Sequence, residues 1–180
     1  MNNFEQVLQF WFEEIDPKQY WVKNPAFDQL ISERFGGLHR QAALAELFEW
    51  RQSPAGRLAE IIILDQFSRN MFRDTPRAFA CDAQALVLAQ EAVALGVDEE
   101  LSTSQRTFLY MPYMHSESLR VHEEAVRLFA SNGVKENLDF EHKHKIIIER
   151  FGRYPHRNVI LGRESTPEEI AFLSEPGSSF

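Results

Sequence analysis

Apolar residues recur at steps of three and four along almost the whole chain. In FEQVLQFWF, Phe4, Val7, Leu8, Trp11 and Phe12 fall on one face of a helix, because 3.6 residues per turn bring positions i, i+3 and i+4 together. No segment alternates with period two for long enough to form a strand, and the run IIIL at 61–64 lies inside a longer helical pattern. The fold class implied is all-α: a bundle of about eight to ten helices in antiparallel pairs, since the connections are short.

Capping signals divide this pattern. Asn3 can cap a first helix that ends at Asp16-Pro17, and a second is expected from Pro25 to Gly36-Gly37 with Phe27, Leu30, Ile31 and Phe35 inward. A third would run from Leu38 to Trp50. Ser53-Pro54 is a cap followed by proline at the first helical position and opens a fourth helix reaching about Phe72. Thr75-Pro76 repeats that signal, with the pattern running to Leu95 and Gly96 as its stop. Further helices are expected from Thr103 or Ser104, over 118–131 and over 137–151, with Pro112 kinking or ending the first of these. Thr166-Pro167-Glu168-Glu169 is a capping box for a short last helix.

The 180 residues fit one domain over 1–180, with a flexible tail expected at 174–180. Hydrophobic residues make up 44% and charged ones 26%, the mix of a globular protein. A formal charge of −8 repels nucleic acid and anionic membrane surfaces, so neither is an expected partner. No apolar run approaches the roughly 20 residues that span a bilayer, and MNNFEQVLQFWFEE lacks signal-peptide character. Cys81, the single cysteine, permits no internal disulfide, which fits a cytoplasmic protein.

Three stretches carry chemistry. In the fourth helix, the stripe that starts with Leu58, Ile61 and Ile62 continues as Asp65, Arg69 and Arg73, flanked by Gln66 and Asn70. This is either a solvated i, i+4 pair at the end of the core or a polar cavity wall. YMPYMHSE, 110–117, offers His115, Ser116 and Glu117 beside a proline. His-x-Glu lacks a third ligand, so no metal set is complete and no cofactor is implied. His142 and His144, beside lysines, read as solvated surface residues.

RFGRYPHRNVILGR, 150–163, is the third. It holds Arg150, Arg153, Arg157 and Arg163 with His156 and Asn158. Seven of the fourteen arginines lie in 69–77 and 150–163, windows without lysine. Guanidinium presents a rigid fork for bidentate pairing with carboxylate or phosphate, which a mobile ammonium does not. The forks either tie an irregular loop to helix carboxylates and unpaired carbonyls or line an anion pocket, with His156 available for proton transfer.

DQFSRNMFR at 65–73, FLYMPYMHSE at 108–117 and FGRYPHRNVILGRESTPEE at 151–169 together resemble the bacterial family known as domain of unknown function 924. The resemblance covers nearly the whole chain. It implies a fold similar to tetratricopeptide-like (TPR-like) helical domains, although no repeat is legible here, and it assigns no activity, substrate or cofactor. Asp65, Arg69, Asn70, Arg73, His115, Glu117, Arg153, His156, Arg157, Asn158 and Arg163 match its motif positions.

Three accounts fit these residues. In the first, Arg69, Asn70, Arg73, Arg153, Arg157, Asn158 and Arg163 bind a small anionic ligand, with Asp65, His115, Glu117 and His156 as candidate acid–base groups. In the second, the helices form a scaffold for a peptide or protein partner. In the third, the motifs are a buried polar network that fixes helix packing. The first is favoured, with no nucleophile evident for covalent catalysis.

Overall fold

The structure, a computed structural model, describes residues 3–180, the side chain of Asn3 excepted. Helix α1 is Asn3–Gln9 and continues through a π-helical turn at Phe10–Glu14. The cap expected from the Asn3 side chain lies outside the described residues. Asp16 accepts from Lys18 N and caps a 3-10 turn at Pro17–Trp21, so the expected stop is also a start.

Helix α2 is Pro25–Ala43 and runs straight through Gly36-Gly37, where a stop was expected. Phe27, Ile31, Phe35, His39 and Ala42 form one continuous buried stripe across both glycines, and this packing outweighs the roughly 1 kcal/mol that each glycine costs a helix. Leu30, expected inward, is exposed. The helix ends instead at Leu44, followed by Ala45 at φ 58. The expected helix over 38–50 therefore does not exist: its first half is the end of α2 and its last part is a 3-10 turn at Phe48–Gln52.

Helix α3, Pro54–Ile62, is capped as expected, with Ser53 Oγ accepting from Gly56 N at 3.0 Å. A π turn at Ile63–Phe67 joins it to α4, Ser68–Met71. Every side chain from Leu58 to Ser68 is buried, so this rod is the axis of the molecule, and the wide turn re-aims the side chains of α4. After a 3-10 turn at Pro76–Phe79, α5 spans Asp82–Ala94; Thr75 hydrogen-bonds back to Phe72 O rather than capping forward.

Helix α6, Thr103–Met114, is capped by Ser102 and contains Pro112 without ending there. Residues 107–114 are all buried, so tertiary packing holds the last turn despite the lost hydrogen bond. Helices α7, Leu119–Asn132, and α8, Lys135–Phe151, return along α6 and along one another. A 3-10 turn at Pro155–Arg157 leads into α9, Asn158–Leu161, and Thr166 caps α10, Pro167–Leu173, through the expected capping box. The architecture is all-helical among the described residues. One large core runs from Val7 to Phe129, and a smaller one joins Ile147, Ile148 and Tyr154 to Phe151 and Phe172.

Candidate functional site

The π turn places Asp65 at the centre of the molecule, with none of its surface exposed. Its Oδ1 lies 2.7 Å from His115 Nδ1 and 3.2 Å from Arg69 Nη1, and Gln66 Nε2 donates to its Oδ2 at 2.7 Å. Burial alone would raise this carboxyl. The Arg69 charge and the hydrogen bonds from His115 and Gln66 outweigh it and hold Asp65 below the usual carboxylate range. A solvated pair at the end of the core is therefore not what the fold makes of Asp65 and Arg69.

His115 sits at the C-terminal end of α6, where the imidazole swings across to the rod. Burial and the Arg69 charge push its pKa down against the pull of Asp65. The ring is then neutral at physiological pH, donating from Nδ1 to the carboxylate and leaving Nε2 with a free lone pair. This is the orientation that a buried carboxylate gives a general base.

Arg69 forks onto Asp82, at the start of α5, at 2.8 and 3.0 Å. Arg157 arrives from the opposite side: its Nη2 donates to the His115 carbonyl at 3.0 Å, its Nη1 lies 3.7 Å from Asp82 Oδ2, and its guanidinium covers the rings of Phe79 and Tyr154. Only 6% of Arg157 is exposed, and its Nε is buried without a hydrogen-bond partner. Burial and neighbouring Arg69 pull its pKa down. His156 is next to it, with Nδ1 buried and unpartnered and a pKa pushed down to about 4 by burial and by Arg157.

The remaining residues form two further groups. Glu117 accepts from Tyr154 N and from both Nη atoms of Arg163, whose Nε donates to Asn158 Oδ1; Arg153 forks onto Glu169, which Asn158 also reaches. Arg73 and Asn70 meet on Asp28 of α2, away from the histidines. Every arginine of the 150–163 stretch thus faces a carboxylate of this chain, Arg150 through Glu168.

Asp28, Asp82 and Glu169 do not stand out in the sequence, because an acid on a helix surface reads as solvated. His122 and Glu141 also lie outside the sequence-predicted set. They are fully buried, with His122 Nδ1 2.6 Å from Glu141 Oε1 and Nε2 2.8 Å from the Ser116 carbonyl. A carbonyl only accepts, so Nε2 donates to Ser116, and the short contact between Nδ1 and Glu141 Oε1 is the pair's second hydrogen bond. A signal for them exists: both occupy stripe positions, with Ala125 and Phe129 on α7 and with Ile148 on α8. His144, expected at the surface, is buried, and its pKa is pushed down to about 3 by that burial; His142 is exposed as expected.

A family model described as "Bacterial protein of unknown function (DUF924)" matches residues 7–177. The chain belongs to that family. Among solved structures, this DUF924 chain is similar to one titled "Structure of Protein of Unknown Function ATU0120 from Agrobacterium tumefaciens", with 38% identity over 95% of this chain and 96% of that one and a TM-score of 0.90. No curated protein matches. All the motif residues, from Asp65 to Arg163, lie inside the span matched by the DUF924 model. Among the described residues, no group of three or more His, Cys, Asp or Glu side chains is arranged to hold a metal ion, and no helix is long and apolar enough to cross a membrane.

Proposed function

We propose that the DUF924 chain binds a small carboxylate- or phosphate-bearing molecule at Arg157 and Arg69, with His115 Nε2 as a proton acceptor for the bound molecule. The observation that carries this reading is Arg157, a buried guanidinium with an unpartnered Nε whose nearest carboxylate is 3.7 Å away. A buried cation so incompletely matched favours an incoming anion; the lowered pKa values of Arg157, His115 and His156 come first from burial and second from the neighbouring arginine charge, which an anion would offset. Access is supported by Arg69 and Asp82, each with 20% of its side chain exposed, and by His115 with 16%. Arg73, Arg153 and Arg163 contribute through the folded frame, since their forks are taken up by Asp28, Glu169 and Glu117.

Thermal denaturation with inorganic phosphate, citrate and pyruvate tests the reading. The wild type is expected to show a saturable rise in melting temperature with at least one of them, which Arg157→Lys removes while the variant still folds cooperatively. His115→Asn, which keeps a donor toward Asp65 but lacks Nε2, is expected to retain binding. If all three anions leave the wild type unmoved and Arg157→Lys merely melts earlier, the cluster is a packing network and the proposal fails.

A further inference from the structure

The C-terminal end of α2, the end of α4 and the turn after Phe79 line an open cleft of about 330 Å³, within the size range of small-molecule sites. Its walls include Phe72, Leu44 and Cys81, its floor is His39, and Arg40 and Arg77 stand at its rim. None of these residues belongs to the cluster around Asp65.

The two arginines differ from most others in the chain. Among the described residues, ten of the fourteen arginines have a carboxylate oxygen of this chain within 4.0 Å. Arg40 and Arg77 are not among those ten. Arg77 instead lies over the Phe72 ring, with its Cζ 3.8 Å from the ring centroid, which holds the fork beside an apolar wall without neutralising it.

His39 adds a directional requirement. It is 5% exposed, with Nε2 2.7 Å from Ser68 Oγ. Ser68 Oγ in turn donates to the Leu64 carbonyl at 2.6 Å. A hydroxyl has one hydrogen, so Nε2 must be the donor to Ser68, and Nδ1 is left as a lone-pair acceptor with no partner among the described residues. Burial and Arg77 push the His39 pKa down, which keeps that acceptor unprotonated. The ring meets Phe72 edge-on at 5.1 Å, a spacing that suits a further aromatic neighbour.

We propose that this cleft is a second binding site, for an aromatic carboxylate that carries a hydroxyl or N–H at the end remote from its carboxylate. The carboxylate pairs with Arg40 and Arg77 at the rim, the ring packs on Phe72 and Leu44, and the remote donor reaches His39 Nδ1.

Isothermal titration with 4-hydroxyphenylacetate, phenylacetate and 4-hydroxyphenylethanol tests each element. Saturable binding of 4-hydroxyphenylacetate is expected, weakened about tenfold or more by loss of either the hydroxyl or the carboxylate, as for a charge-assisted or buried hydrogen bond. Arg77→Gln and Arg40→Gln should each weaken it similarly, whereas Arg157→Lys should leave it unchanged, which separates this site from the one at Asp65. Cys81 is the only thiol and lines the cleft, so bound 4-hydroxyphenylacetate should slow its alkylation by iodoacetamide. Absence of saturable binding, equal affinity for all three probes, affinity unchanged in both rim variants, or unprotected Cys81 would each overturn the proposal.

Discussion

Gly56, in the first turn of α3, has no room for a side chain. A Cβ there would lie 2.1 Å from the Trp50 carbonyl oxygen, which belongs to the backbone of the 3-10 turn packed under the helix and cannot swing aside. Gly56→Ala is therefore expected to cost about 3 kcal/mol, the upper part of the range for overpacking. Ala45, at φ 58, is the opposite case: a side chain sits where glycine is at ease, and Ala45→Gly should gain about 0.5–1 kcal/mol because strain relief exceeds the added freedom of the unfolded chain. Urea denaturation measures both, and a neutral Gly56→Ala would refute the clash. In the sequence the glycines that stand out are Gly36 and Gly37, which read as a stop. Gly36 has open space around it and α2 passes through, because a glycine's meaning depends on which backbone approaches it, and that is a tertiary fact.

At the scale of elements, the segment from Gly152 to Ser165, with only a 3-10 turn and the four-residue α9 of its own, is tied to the rest of the molecule by side chains. Glu117, on the link between α6 and α7, takes three donors from it: Tyr154 N and the two ends of the Arg163 fork. Glu117→Ala should destabilise the protein by about 2–3 kcal/mol, as for loss of hydrogen bonds to a charged group. It should also do so locally, with amide exchange accelerated from Arg153 to Arg163 and little changed in α3. Uniform acceleration across the chain would show that the clamp is not a separable unit. The arginine half of this clamp was legible, because arginine without lysine in a proline-broken loop signals fixed geometry. The acceptor half was not: Glu117 stood out only as a candidate acid–base group, and Glu169 and Asp82 not as arginine partners at all, since pairs more than ten residues apart leave no periodic trace. The turn at Ile63–Phe67 was hidden for a related reason: DQFSRN reads as α-helix by period, and one widened turn is decided by how Asp65, Phe67 and Ser68 all become buried at once.

For the whole molecule, burial of imidazole sets the response to acid. Of six histidines, His39, His115, His144 and His156 are pushed below their ordinary pKa, chiefly by burial. His144 falls to about 3 and His156 to about 4. The unfolded chain titrates histidine near 6.5, so between that value and the folded pKa the unfolded state holds more protons, and stability drops as pH falls. Each such group contributes a slope of up to about 1.4 kcal/mol per pH unit. Asp65 and Glu169, held low by their partners, keep their contribution until the pH falls below the unfolded carboxylate value of about 4. Glu141 acts in the opposite sense, since burial raises its carboxyl, and as one group it offsets at most one imidazole. Urea midpoints should therefore fall from about pH 7 to about pH 5, before carboxylates titrate. His144→Gln should start less stable, having lost the bond from Nδ1 to the Phe140 carbonyl, yet show a shallower slope over the same interval, by about the share of one group. A wild-type profile that is flat or rising toward pH 5 would mean that these rings are protonated in the fold, and the neutral His115 required as a proton acceptor would fall with it.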